Sequence, residues 1–512
     1  MQTTPQTILP FVRRHGPPGA AILLSLLAAV WVASAGTWVL LGPSLVQFTS
    51  SQVFYPQMNR YYDDQGKAIL AGRLDVPCES IQPEAFVVED RCYGYFGIAP
   101  SLLRIPLNLL FPRYYGQWET LSMLTASTGL LCLAYAMLLA LLRLAFTTPS
   151  FPGTGDPRYL FLFLLVLGLG SPTIFLQSRT VLYHEAILWS CTFAAGCFFF
   201  LLRFLESRRT LWLLAAGGMA LLAIHSRLLA GMAAVTACSL VPLLDSFSKR
   251  DLAPGKEKGS PFSFLRHKAN WLGLAIGLLS VLSFYGIAYA KFGVFESNPL
   301  RYSSAYTPER QKVFGGKALH LENFFWNVDN YFGWHGPDIG VAKRRDTSPT
   351  AEARQRFPGA KIDDVEGFMS LPVGMTALLL LSLFGLWTLY RQGRHRLAFS
   401  VLLLCSLLGP AGLLFFIYLS YRYYHEYVLF FILAGGLGVI GLSTRPGNSL
   451  VNMVLTASAS VNIVLNVLFS IENQINDTNL GPTIPPMLEK VKAIHSWLTA
   501  VSEALIALFR GG

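Results

Sequence analysis

Two adjacent carboxylates, Asp63 and Asp64, sit in a segment crowded with groups that bind anions or move protons: Asn59-Arg60-Tyr61-Tyr62-Asp63-Asp64-Gln65-Gly66-Lys67. On a helix, neighbouring side chains stand about 100° apart, so the pair is not arranged to share one proton. One carboxylate can face a cavity while the other faces water, or both can be plain acids favoured by the dipole at a helix N-terminus. Three more clusters follow along the chain: Arg179 with Tyr183, His184 and Glu185; His225-Ser226-Arg227; and Tyr421-Arg422-Tyr423-Tyr424-His425-Glu426-Tyr427. Arginine binds phosphate oxygens bidentately, and a carboxylate can accept a hydroxyl proton. Together these types suit a lipid-linked phosphate and a hydroxyl acceptor. Taken singly, each cluster also fits a plain role as an anchor at a membrane rim, helped by interfacial tyrosines.

The elements that must position these residues are read from the apolar blocks. The chain has 512 residues, 53% hydrophobic and 13% charged, about half the charge of an average soluble domain. Its apolar runs are about 20 residues long, the length that crosses a bilayer core as helix. The expected fold is an all-α polytopic membrane protein of about 11 transmembrane helices. The spans are placed at 20–42, 119–142, 159–177, 183–202, 210–226, 228–245, 270–290, 371–390, 397–419, 426–443 and 449–470. The first is read as an uncleaved span with no convincing cleavage site. The net charge of +11 is assigned to topology and not to nucleic acid. Arg13/Arg14, Arg203/Arg208/Arg209, the stretch from Lys249 to Lys268, Arg391/Arg394/Arg396 and Arg445 fall on one side, which is expected to be cytoplasmic.

In that topology the amino terminus is inside, and the candidate residues all fall on the outer side. Residues 1–470 form the transmembrane module, with long outer loops at 43–118 and 292–370. The first is expected to carry two short amphipathic helices at the membrane surface, near 60–72 and 99–110. The second carries Lys343, Arg344 and Arg345, which long loops tolerate on the outer side. Its Trp326, Tyr331 and Trp334 can pack on sugar faces or form the loop's own small core, and His335 reads as a turn element. Residues 471–512 form an outer-face tail whose apolar positions from Leu488 to Leu508 make one helical face. Asn476-Asp477-Thr478 matches a glycosylation sequon. Of seven cysteines, Cys132, Cys191, Cys197, Cys238 and Cys405 lie in apolar runs and read as packing residues. Cys78 and Cys92 share the first loop and can pair if the outer face is oxidising. No Walker A loop or GxGxxG motif is present, so an enzyme here would draw on an activated substrate and not on ATP.

At these residues the chain resembles the membrane-embedded glycosyltransferases of the GT-C superfamily, which includes protein O-mannosyltransferases and aminoarabinose transferases. The resemblance is closest to poorly characterised bacterial members. It rests on an acidic residue in the first outer loop (Asp63/Asp64), a small-residue turn from Ala68 to Leu74, and the aromatic stretch from Tyr93 through Pro100 to Pro106. Ala288-Tyr289-Ala290-Lys291-Phe292-Gly293 before Glu296, and Arg422-Tyr423 before Glu426, complete it. It covers about residues 20–445 and lies in the order of short motifs. The chain departs from the mannosyl- and aminoarabinosyltransferases in lacking their Asp-Glu pair directly after the first helix.

What the resemblance implies is transfer of a sugar from a polyprenyl-phosphate donor to a glycan, lipid or protein acceptor at the outer face. It implies a GT-C-like bundle, with Asp63 or Asp64 as base, Asp63 preferred. Arg422, Arg227 and Arg179 are assigned to the donor phosphate, and His184, Glu185, Tyr423, Glu426 and Trp334 to substrate. Displacement with inversion is expected, with no cofactor required and a divalent cation possible. A bacterial inner membrane with a periplasmic site is the expected location. A transporter or flippase for a lipid-linked sugar is the competing reading, and a membrane scaffold the third.

Overall fold

In a computed structural model of the protein, the described residues are 5–34, 38, 40–41, 49–50, 53–54, 60–82, 84–145, 156–251, 267–335, 355–392, 396–443 and 449–476. The expected tail helix, the Lys343-Arg344-Arg345 run and most of the sequon lie outside them.

The expected helical, multi-pass membrane architecture is present. Seven helices among the described residues are long and apolar enough to cross a membrane, and four shorter apolar helices accompany them. In chain order, α1 is Pro5–Ala33, and α2 (Tyr61–Leu70) and α3 (Ala99–Leu110) belong to the first loop. The bundle continues with α4 (Glu119–Ala145), α5 (Pro157–Leu169), the short α6 (Pro172–Gln177), α7 (Leu182–Ser207), α8 (Thr210–Ile224), α9 (Leu228–Asp251) and α10 (Lys268–Phe292). The second loop carries α11 (Pro308–Phe314) and α12 (Phe324–Phe332). Then come α13 (Thr376–Gln392), α14 (Arg396–Ser406) and α15 (Leu408–Leu413). Helix α16 starts at Val428–Phe430, passes through a π-helical Phe431–Gly435 and ends as Gly436–Ser443. Helix α17 is Ser449–Asn476.

The expected span at 159–177 is broken, and the local sequence explains the break. Asp156 caps α5 through Arg158 N at 2.9 Å, and Gly170 ends it. Ser171 then caps a new helix through Thr173 N, with Pro172 at its first position. Proline has no amide hydrogen to continue the α5 ladder but is favoured at a helix start. The expected span at 397–419 likewise divides at Leu407 and ends at Leu413.

Helix α7 is buried on nearly every side, packed against α4, α8 and α9. By contrast α10 leaves Leu278, Leu279 and Leu282 exposed, as a lipid-facing helix would. Among the described residues, three two-stranded ribbons complete the loops. Thr49–Ser50 (β1) pairs with Val53–Phe54 (β2), and Phe86–Val88 (β3) with Arg91–Tyr93 (β4), both antiparallel. Asp364–Val365 (β5) pairs in parallel with Tyr418–Leu419 (β6). Cys78 and Cys92 are disulfide-bonded, with 5.2 Å between their Cα atoms. The two long loops, the α8–α9 corner and the segment before α16 meet at one end of the bundle. Ala99 N donates to His225 O at 2.8 Å, and Glu366 N to Leu419 O at 2.9 Å.

Candidate active site

Both first-loop carboxylates are enclosed, Asp63 at 0% and Asp64 at 6% exposure. The expectation that one faces water is therefore corrected. The turn at Cys78–Ser80, helix α3 and Tyr115 cover α2, so neither side of its acid pair reaches solvent. Asp64 accepts from Ser80 Oγ (2.5 Å), Tyr115 Oη (2.5 Å) and Arg60 Nη2 (3.4 Å). Asp63 accepts from Asn108 Nδ2 at 2.7 Å, and Asn108 Oδ1 accepts from Trp118 Nε1 at 2.9 Å. No described residue hydrogen-bonds Asp63 Oδ2. Burial raises the Asp63 pKa against the opposing charge of Arg104. Beside it, Arg104 Nη2 reaches both Glu185 oxygens at 2.8 Å. Glu185 also accepts from Ser122 Oγ at 2.5 Å. This polar hub ties the loop helices to α4 and α7.

A second cluster lies where the first loop meets the second. Glu366 accepts from Arg422 Nη1 (2.5 Å), Ser420 Oγ (2.5 Å) and Tyr418 Oη (2.8 Å). Burial alone would raise its pKa, but Arg422 and the three donors outweigh burial and hold it at about 2. The Arg422 guanidinium stacks on Tyr183 at 4.4 Å. Arg310 grips Asp363 through Nε and Nη2 at 2.8 and 2.7 Å. Glu84, half-buried on the loop that the disulfide closes, faces the same charges. Burial raises its pKa, Glu366 adds to the shift, and Arg422 and Arg310 oppose it. No described residue hydrogen-bonds its carboxylate.

An apolar cleft of about 200 Å³ opens beside this cluster. Its walls include Phe96, Phe284, Leu319 and Phe416, and its polar members are Tyr95, Ser226, Arg227, Ser297, Asn298 and Tyr423. Arg227 Nε stands 3.0 Å from Glu426 Oε1. No described residue accepts from the terminal nitrogens of Arg227, and its guanidinium lies over the Tyr423 ring at 5.4 Å. The Tyr95 hydroxyl lies in the combined field of Glu84, Arg227, Tyr423 and Arg422. The cleft thus offers an apolar trough and a guanidinium, and Glu84, which does not line it, lies in the field shared with Tyr95 on its wall.

Of the residues expected at the site, Arg227 and Tyr423 line the cleft, and Glu426 and Arg422 stand beside it. Arg179 is buried nearby, with Nη1 3.5 Å from Asn473 Oδ1. His184 is turned to the backbone, its Nδ1 3.1 Å from both Leu176 O and Arg179 O. Glu185 is consumed by Arg104. Trp334 stands 80% exposed and does not line the cleft. Trp326 is buried in the loop's own small core with Ala360 and Ile362, whereas Tyr331 is buried in the main core against Tyr424. Neither Asp63 nor Asp64 lines the cleft. Glu84 was missed because Gln82-Pro83-Glu84-Ala85 carries no spacing signal; its place inside the Cys78–Cys92 loop was the available hint. Among the described residues, no three His, Cys, Asp or Glu side chains converge to hold a metal ion.

No protein-family model matches the chain, and no curated protein matches it. Its fold is similar to that of solved membrane-enzyme structures. The Archaeoglobus fulgidus oligosaccharyltransferase in the apo form is 12% identical, covering 93% of this chain and 59% of that one, with a TM-score of 0.45. ArnT from Cupriavidus metallidurans, bound to undecaprenyl phosphate, is 10% identical, covering 90% of this chain and 76% of that one, at 0.46. The archaeal oligosaccharyltransferase AglB with an inhibitory peptide and a dolichol-phosphate is 13% identical at 0.46. The chain spans 59% of the length of the archaeal structures.

Proposed function

We propose that the chain is a membrane-embedded glycosyltransferase that moves a sugar from a polyprenyl-phosphate carrier to a hydroxyl acceptor at the outer face. One observation carries this reading: an apolar cleft bearing Arg227 and Tyr95, with the Glu84 carboxylate, which no described residue hydrogen-bonds, in the electrostatic field of Tyr95 and Arg422. The isoprenoid would lie along Phe284, Leu319 and Phe416. The carrier phosphate would take the terminal nitrogens of Arg227, with Arg422 close behind.

The acceptor oxygen attacks the anomeric carbon as its proton passes to Glu84. The bond from that carbon to the phosphate oxygen breaks, and its electron pair stays on the phosphate. Arg227 and Arg422 stabilise the charge that develops there. A single displacement inverts the anomeric centre. Glu84 takes the base role first assigned to Asp63 or Asp64, because those two are enclosed in the hub below α3. A bacterial inner membrane, a periplasmic site and a displacement that requires no cofactor belong to the same proposal.

The test is transfer of labelled sugar from a polyprenyl-phosphate donor into envelope acceptors. Glu84→Gln is expected to lower transfer by about 10²–10⁴, the usual worth of a general base, with undecaprenyl phosphate still bound. Asp63→Asn is expected to retain transfer within about tenfold on the same scale. The reverse order returns the base to Asp63. Full transfer in both variants removes both carboxylates as the base, and no transfer by the wild-type chain, with lipid-linked sugar still crossing the membrane, selects the flippase.

A further inference from the structure

Lys291 ends α10 in an unusual position. Its side chain is 4% exposed, and no step of the proposed transfer uses it. A buried ammonium is costly unless its donors are taken up. Here Nζ donates to Gly94 O at 3.0 Å and to Phe96 O at 2.8 Å. Between those two carbonyls stands Tyr95, and both Tyr95 and Phe96 line the cleft.

The segment 94–97 has no ladder of its own, because β4 ends at Tyr93. Its buried carbonyls must find donors elsewhere, and Lys291 supplies them. Both ends of the segment are pinned. A Cβ at Gly94 would lie 2.2 Å from Tyr61 Oη, and one at Gly97 would lie 1.8 Å from His225 O. Glycine is therefore required at both positions by close approach, to α2 on one side and to the α8–α9 corner on the other. Ala99 N seals the second contact on the same His225 O.

We infer that Lys291 is a positioning residue that holds the Gly94–Gly97 strap by its carbonyls and so sets the width of the cleft at Tyr95 and Phe96. This inference rests on the carrier reading given above. The cleft wall here has no regular secondary structure, so a side chain from a spanning helix does what a strand partner would do elsewhere. Lys291 need not touch the carrier to control its fit.

The test uses the full chain in detergent, with 3-fluorotyrosine at position 95 and undecaprenyl phosphate as probe. Lys291→Met is expected to shift the Tyr95 fluorine resonance and to weaken probe binding about tenfold, the scale of one lost tight contact. The transfer rate at saturating donor should stay within about twofold, so the effect falls on KM and not on kcat. A variant that binds the probe as wild type with an unmoved Tyr95 signal overturns the inference. Where Lys291→Met does not fold, Lys291→Gln reaches one carbonyl at most and carries the same expectation and the same overturning result. Arg227→Ala separates the two readings. If it leaves probe binding untouched while Lys291→Met still shifts Tyr95, the carrier reading fails and the strap stands.

Discussion

Glu366 and Glu84 both lie in the field of Arg422, yet their pKa values move in opposite directions. Glu366 is pulled to about 2 because Arg422, Ser420 and Tyr418 outweigh its burial. Its folded pKa lies below the ordinary 4.5, so its stabilisation is present above 4.5 and is lost as pH falls from 4.5 through about 2. Glu366→Gln is expected to flatten the unfolding midpoint across that window, measured by thermal melts in detergent from pH 5 downwards. Glu84 is shifted upward, so its contribution to stability is lost as pH rises through its folded value. As a base it must be ionised, so transfer should fall on the acid side with an inflection above 4.5. An inflection at or below 4.5 would argue against its role. At this scale the late motif was legible: Arg422, Tyr423 and Glu426 share one short run, and they gather at the cleft with Arg227. Glu84 was not legible, because its role comes from a fold-back that places it against residues far along the chain.

Between elements, the Arg104–Glu185 contact fastens α3 to α7. Both side chains are essentially inaccessible, at 1% and 0%. Removing one partner leaves a buried charge uncompensated, which costs about 3–5 kcal/mol. Arg104→Ala should therefore lower the unfolding midpoint strongly, while Arg104→Met combined with Glu185→Leu should recover most of the loss. Equal losses in the single and double variants would mean that the pair is not a unit. Apolar length placed most of the expected spans, although the first helix runs Pro5–Ala33 and not 20–42 and the spans at 159–177 and 397–419 are divided; the loop helices α2 and α3, read from their amphipathic pattern, begin and end close to their expected limits. Apolar length did not register the interruption at Gly170-Ser171-Pro172, where capping chemistry overrides a run that is apolar throughout. Nor could it show that α2 is roofed over, because that depends on a disulfide-closed turn packing down on it.

For the whole molecule, the gathering of both loops and the α8–α9 corner at one end of the bundle agrees with the side to which charge bias assigns them. Which side faces outward is a separate matter, and labelling decides it. In a background lacking the exposed Cys132, Glu309→Cys should react with an impermeant maleimide in intact cells. Arg209→Cys should react only after permeabilisation. The opposite pattern would invert the topology and move the proposed site to the cytoplasm.

The disulfide encloses Glu84 within a 14-residue separation. Apart from that bond, the stretch carrying the proposed base is held by Ser80 on Asp64, by the β3–β4 ribbon, by the packing of Ile81 and Ala85, and by Ser304, whose N and Oγ both reach Ala85 O. A newly inserted chain would thus be complete in its spans before the loop around Glu84 is covalently closed. Closing it needs a setting that oxidises one cysteine pair, so this one covalent link records where that loop has been.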